Sequence, residues 1–158
     1  MAGQTLTITK TISTDAAWEK LQEGLQDLDP FWDAVEMHMI GSLTQNFESE
    51  GRPTAWEPLS EWTIAAKGGS AILQDSGALK GSINSGNTER SENSLDIWAG
   101  EVHGLFHQYV DMDPMAQFGI INKNKKYPMP MRPFMMFQDE DIDTIEEILG
   151  NFVDDLIE

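Results

Sequence analysis

The tightest constraint on this chain is a run in which Phe31, Val35, Met39, Leu43 and Phe47 recur at every fourth position. Residues four apart lie on one face of an α-helix, so the spacing predicts a helix from about Phe31 to Glu48 with a continuous apolar stripe. Such a stripe is stable only against a second apolar surface. A second such stripe lies at the end of the chain. Ile142, Ile145, Leu149, Phe152, Val153 and Leu156 share a face of a helix expected from Asp139 to Glu158, and its first turns carry acids that the helix dipole favours. Ahead of both, Ser13, Thr14 and Asp15 offer N-caps, and Trp18, Leu21, Leu25 and Leu28 follow at spacings of three and four. This predicts an amphipathic helix that stops near Asp29-Pro30.

Strand signals are fewer. Thr5 to Ile12, TLTITKTI, sets Leu6, Ile8 and Ile12 on one face and threonines on the other, as a short edge or half-buried strand does. Gly51, Pro53 and Pro58 interrupt the next stretch, and Pro58-Leu59-Ser60-Glu61 reads as the start of a short helix through Trp62 to Lys67 that Gly68-Gly69 ends. Ser76 to Ile83 accommodates one or two helical turns. The polar run Asn84 to Asn93 suits a connection, and Leu95, Ile97 and Ala99 alternate as a strand, so we expect an antiparallel hairpin of Ile83 to Thr88 with Ser94 to Ala99. Glu101 to Val110 can be helical, whereas Asp111 to Pro133, with four prolines, reads as an irregular excursion. The expected class is α+β, a small antiparallel sheet packed with an N-terminal helical segment and a C-terminal helix. A length of 158 residues leaves no room for two complete cores, so one domain over residues 1–158 is expected.

Ten Lys and Arg against 27 Asp and Glu give a formal net charge of −17. Such a field opposes phosphate backbones and anionic membrane surfaces, which argues against nucleic acid or a membrane as the main partner. No cysteine occurs, so disulfides, thiolate catalysis and Cys-ligated zinc are excluded. The first ten residues lack the basic start and apolar run of a signal peptide, and no stretch reaches the roughly 20 apolar residues of a membrane span. A soluble protein made in the cytoplasm is expected. The charge is also unevenly placed: residues 139–158 hold nine acids and no base, while Gly119 to Met136 holds Lys123, Lys125, Lys126 and Arg132 and no acid. Unlike patches of this kind suit a head-to-tail contact between copies, or else a solvated loop beside a solvated helix.

Catalytic patterns are weak. His103 and His107 are four apart, with Asp111 and Asp113 following, but Gly104 stands where a zinc protease needs its glutamate. Gln74-Asp75-Ser76-Gly77 lacks the G-x-S-x-G elbow of a serine nucleophile, and helix capping accounts for Asp75 and Ser76. Gly68-Gly69-Ser70 lacks the strand-loop-helix setting of a phosphate loop. We therefore expect no catalytic residue, no metal site and no cofactor. Trp56, Trp62 and Trp98, with Met129, Met131, Met135 and Met136 around Pro128, Pro130 and Pro133, form an apolar set that either faces a partner or closes the core.

Several of these pieces occur together in one order. Phe47-Glu48-Ser49-Glu50-Gly51-Arg52-Pro53, Trp56-Glu57-Pro58-Leu59-Ser60, Thr63, Lys67, Ile72-Leu73-Gln74-Asp75-Ser76-Gly77-Ala78-Leu79 and Ser82-Ile83 resemble the central part of the phage virion morphogenesis, or tail completion, family. Downstream, Phe106-His107-Gln108-Tyr109 is similar to the family's aromatic-Ala-x-His-Gln-Phe-Gly segment, and Met131-Arg132-Pro133-Phe134-Met135 is similar to its Arg-Pro-Phe-Leu signature. Glycine is missing after Tyr109, and Ala116-Gln117-Phe118-Gly119 offers a second match. The resemblance covers about residues 47–137.

The resemblance implies a small α+β structural protein of the tailed-phage head-tail joint, found in the virion and without enzymatic activity, that completes or terminates the tail or neck. It also implies a ring, sixfold like a tail tube or twelvefold like a portal. The partners are then the chain itself and neighbouring neck and tail proteins, with at most passing contact with genomic DNA. Trp56, Trp62, His107, Lys123, Lys125, Lys126, Arg132, Pro133 and Phe134 are the expected interaction residues, with Phe134 in an apolar pocket and Arg132 paired to a carboxylate of its own or a neighbouring chain. Two alternatives are a metal-dependent hydrolase using His103, His107 and Asp111 or Asp113, and an acidic DNA mimic that inhibits a nucleic-acid enzyme.

Overall fold

The structure is a computed structural model that describes residues 14–91, 93–101, 104–108 and 130–157. Helix α1 spans Thr14–Gly24 and α2 spans Asp29–Glu48. Short helices α3, Glu61–Lys67, and α4, Ala78–Gly81, follow; a 3-10 turn, Ser85–Asn87, then leads into strands β1, Thr88–Arg90, and β2, Leu95–Ile97. Helix α5, Leu105–Gln108, and the long C-terminal α6, Asp139–Ile157, complete the described elements. The architecture is α+β: helices with one small two-stranded antiparallel sheet.

Helix α2 forms as its spacing predicts, and it starts two residues early. Pro30 falls in its first turn, where a missing N–H costs nothing, and the Asp27 carboxylate accepts the Asp29 N–H at 3.0 Å. Val35, Met39, Leu43 and Phe47 are buried along one face. Helix α1 ends at Gly24, short of Asp29-Pro30. A Cβ at Gly24 would stand 2.2 Å from Leu156 Cδ2, so the absent side chain is what lets α1 close on α6. Trp18 and Leu25, expected on the apolar face of α1, are exposed, as are Ile142 and Leu149 on α6.

The core is centred on Phe47. Trp56 packs edge-on against it at 5.7 Å between ring centres and Phe134 lies at 5.3 Å, with Leu43, Ile72, Leu79 and Ile83 closing the cluster. A second contact, Phe31 with Phe152 at 6.1 Å, joins the start of α2 to the end of α6. Helices α2 and α6 are thus clasped at one end by rings. At the other end the clasp is polar, through His38, Ser42 and Asp141.

The hairpin differs from expectation in its first strand. Ile83 is a core residue and not a strand residue, and β1 falls inside the polar run assigned to the connection. Side chains explain the shift. Asn84 accepts the Gly86 N–H and donates to the Gly81 carbonyl, while Asn87 donates to the Ser82 carbonyl, so this polar stretch forms a turn before the strand begins. Thr88 pairs with Ile97, Glu89 with Asp96 and Arg90 with Leu95. Arg90 then ties the hairpin to α2 through Asp33 at 2.7 Å and through the buried Glu36, which also accepts from the Thr88 hydroxyl. Hydrogen bonds to Glu36 first, and to Asp33 second, hold Arg90 above its ordinary pKa.

Some expectations fall outside the described residues: the strand Thr5 to Ile12, most of the excursion Asp111 to Pro133, and all of the helix Glu101 to Val110 beyond α5 except Glu101 and Gly104. Within the core, Phe134→Ala removes a ring that is 2% exposed. We expect it to cost about 3–5 kcal/mol in urea denaturation, against a few tenths for Trp62→Ala, whose side chain is mostly in solvent.

Candidate functional site

The segments that resemble the phage family converge in space, and they hold one another. At the end of α2 the chain turns sharply at Glu50 and Gly51. Gly51 adopts φ +113°, and a Cβ there would sit 2.6 Å from the Thr54 carbonyl oxygen and 2.7 Å from the Trp56 nitrogen, so only glycine fits. The Glu50 carbonyl accepts the Trp56 N–H at 2.7 Å, and its carboxylate accepts the Ile72 N–H at 3.0 Å. The Trp56 indole donates to the Pro133 carbonyl at 3.0 Å. Arg132 reaches the other way, its Nε and Nη2 donating to the Glu57 carbonyl at 3.0 and 2.8 Å.

Gln108 closes the loop of contacts. Its side-chain oxygen accepts the N–H groups of both Phe134 and Met135 at 3.0 Å, and its nitrogen donates to the Met135 carbonyl at 2.7 Å. The Arg132 N–H donates to the His107 carbonyl at 2.7 Å. Gly104 is tight against side chains and not backbone: a Cβ would lie 2.8 Å from Leu79 and 3.0 Å from the Phe134 ring. Five separate segments therefore depend on each other's backbone groups.

Arg132 is buried and its guanidinium donates to the carbonyls of Glu57 and Pro58; among the described residues no carboxylate forms an ion pair with it. A planar fork that chelates backbone oxygen fixes direction as well as distance, which a point charge does not. Burial lowers the Arg132 pKa from its ordinary value, and the charge of Glu57 opposes the shift.

What the segments leave open is a cleft of about 570 Å³, lined by Leu59, Thr63, Lys67, Asp75, His107 and Arg132 among others. Ser60 caps α3, accepting the Thr63 N–H at 3.2 Å, and Gly68 ends it in the left-handed region at φ +74°. Lys67 Nζ donates to the Ala71 carbonyl. The Ser76 hydroxyl accepts the Ala78 N–H at 3.3 Å, but the N-cap of α4 is Gly77, so the capping expected of Asp75 and Ser76 is not what starts this helix. The lining mixes two cations, two acids and hydroxyls with apolar walls, a surface suited to contact with polar chain.

A second, buried polar cluster lies behind it. Asp141, 1% exposed, receives the Ser42 hydroxyl at 2.9 Å and the Gln138 N–H at 2.8 Å, and His38 Nε2 lies 2.9 Å away. Arg52 extends this cluster: Nη2 donates to the Ser42 hydroxyl and carbonyl at 2.7 and 2.9 Å, and Nε to Asn46 at 2.9 Å. Asn46, fully buried, passes its own N–H to the Phe134 carbonyl at 2.9 Å. Sequence reasoning missed this cluster. Its signal was the second stripe of α2, His38, Ser42 and Asn46, at the same spacing of four as the apolar one.

The expected interaction residues divide. Trp62 is 79% exposed, whereas Trp56 is 6% exposed and Phe134 lies in the core, so both are spent within the chain. Pro133 and His107 are half-buried. Lys123, Lys125 and Lys126 lie outside the described residues, as do His103, Asp111 and Asp113 of the imagined metal site. Among the described residues no three of His, Asp and Glu cluster as metal ligands, and no helix is long and apolar enough to cross a membrane.

Two substitutions test the geometry. Arg132→Lys keeps the charge and loses the fork, and is expected to lower stability by about 1–3 kcal/mol in urea denaturation. Asp141→Asn turns an amide N–H toward groups that donate, and should lower stability by a similar amount.

No curated protein and no solved structure gave a significant match. A profile of the phage virion morphogenesis family matches residues 10–154, a span that takes in every one of the mutually locked segments. On that match the chain belongs to the phage virion morphogenesis family.

Proposed function

We propose that the chain is a structural, non-enzymatic subunit of the tailed-phage head-tail joint, and that it completes or terminates the tail or neck as one member of a ring. Family membership places it in virion assembly of a bacteriophage. The observation that carries the finer reading is the use made of the signature residues. Gly51, Trp56, Gln108, Arg132 and Phe134 lock backbone to backbone, which fixes the shape of the subunit and not the position of a nucleophile.

The surface left over fits assembly. Trp62, Met37 and Phe137 are exposed, and the outward acids of α6, Asp139, Asp143, Glu146, Glu147, Asp154 and Asp155, have no base among them on that helix. Lys123, Lys125 and Lys126 of the next subunit supply the opposite charge. A contact of unlike patches is heterologous and gives a ring where its rotation closes, six- or twelvefold in a joint of this kind. Acids bordering a conduit also repel DNA, so the genome passes with at most transient contact.

Exposed ion pairs contribute about 0.2–1 kcal/mol each, so the charge contact is graded and salt-sensitive. Reversing the three lysines to glutamate should shift the protein toward smaller species in light scattering. Electron microscopy of virions carrying a tagged chain should put the tag at the head-tail joint. A tag at the capsid or distal tail contradicts the location. About one divalent metal per chain would favour the hydrolase alternative, and a tight, salt-sensitive complex with a basic enzyme the DNA-mimic alternative.

A further inference from the structure

Beside the hairpin runs a second cavity of about 520 Å³, walled by Phe31, Val35 and Met39 of α2, Leu95 and Ile97 of β2, and the exposed Phe137. Its β2 side is a strand edge. Trp98 donates to the Asn87 carbonyl and Ser91 to the Ser94 carbonyl. With the register of the pair, this alternation turns the N–H and C=O of Leu95 and Ile97 away from β1. No described strand pairs with that edge. On the α2 wall the Trp32 indole N–H is buried without an acceptor, a condition rare among buried donors. An apolar groove, a free strand edge and an orphaned donor thus share one place.

The chain itself holds a segment of matching chemistry. Thr5 to Ile12 has strand alternation, with Leu6 and Ile8 on one face and threonines on the other. Residues 1–13 carry one base and no acid, against 27 acids and nine bases in the rest of the chain, so their charge is opposite to that of the body they would join. Thirteen residues reach up to about 43 Å when extended.

We propose that the groove beside β2 receives Thr5–Ile12 of a second copy of this chain as an added strand. Leu6 and Ile8 enter the groove, their backbone pairs with Leu95 and Ile97, and a carbonyl of the incoming strand accepts from Trp32. The placement rests on the ring-forming role proposed above. Donor and acceptor are different surfaces, so the link repeats head to tail and closes a ring, in addition to the charge contact.

The test uses three full-length variants. Ile8→Asp spoils the donor segment, and Leu95→Pro removes one outward N–H of the acceptor edge without touching the bonds to β1. Thr7→Pro is a second donor variant, and the unfolding midpoint of each variant is measured beside its mass so that loss of fold is told apart from loss of assembly. Native mass spectrometry should find the wild type in higher oligomers and each variant as monomer. An equimolar mixture of Ile8→Asp and Leu95→Pro should form 1:1 dimers and stop there, because one good groove meets one good segment. Donor variants that assemble like the wild type overturn the strand and leave the ring standing. A monomeric wild type whose unfolding midpoint falls on Ile8→Asp places the strand in its own chain, which also overturns the proposal. A wild type that never assembles, with no change on Ile8→Asp, removes the ring itself.

Discussion

Asp141 is the group on which the arrangement of the long helices depends. A carboxylate taken out of water must be met by donors, and here they come from two directions: the Ser42 hydroxyl of α2 and the Gln138 N–H at the start of α6. Because Asp141 accepts the N–H three residues earlier, it also caps its own helix. Ser42 is in turn held by Arg52, and Arg52 by Asn46. The rotation of α2, the exit of the chain through the Gly51 turn and the entry into α6 are therefore set together. Half-satisfied, such a cluster would be worse than an apolar one, so its members are interdependent.

From that clasp the rest follows by proximity. Asn46 fixes the Phe134 carbonyl, which places the Phe134 ring against Phe47. Gln108 grips the same stretch of chain through Phe134 and Met135. The hairpin is attached separately, by Arg90 on Asp33 and the buried Glu36. Glu140 also meets Arg52 at 3.0 Å, but it is largely exposed and adds little to the clasp.

The long helices were legible because their periodicity needs no partner to be read: Phe31 to Phe47 and Ile142 to Leu156 announce a face whatever that face meets. What the face meets was not legible. Ile142 and Leu149 lie on the expected stripe of α6 yet remain exposed, while the one buried residue of that helix is an acid. Trp56 counted as a partner residue because three tryptophans exceed what one small core covers; the structure uses one of them as a core ring with a donor aimed at Pro133. The first strand was misplaced because Asn84 and Asn87 act through side-chain bonds to backbone, and composition alone does not say which backbone group they find. The charge of Arg132 is visible in the sequence, whereas the two carbonyls it reaches within the chain are generic groups of every residue. The family segments were the most legible part, and their physical meaning is mutual bracing.

The account makes Asp141, Ser42, Arg52 and Asn46 one cooperative unit. Native-state hydrogen exchange of the wild-type protein in rising urea measures this directly, because amides that open together report one free energy. The account predicts that amides of α2 from Met39 to Phe47 and those of α6 from Asp141 to Ile145 merge into a single opening. Release of α6 at a distinctly lower free energy, with α2 still protected, would contradict it.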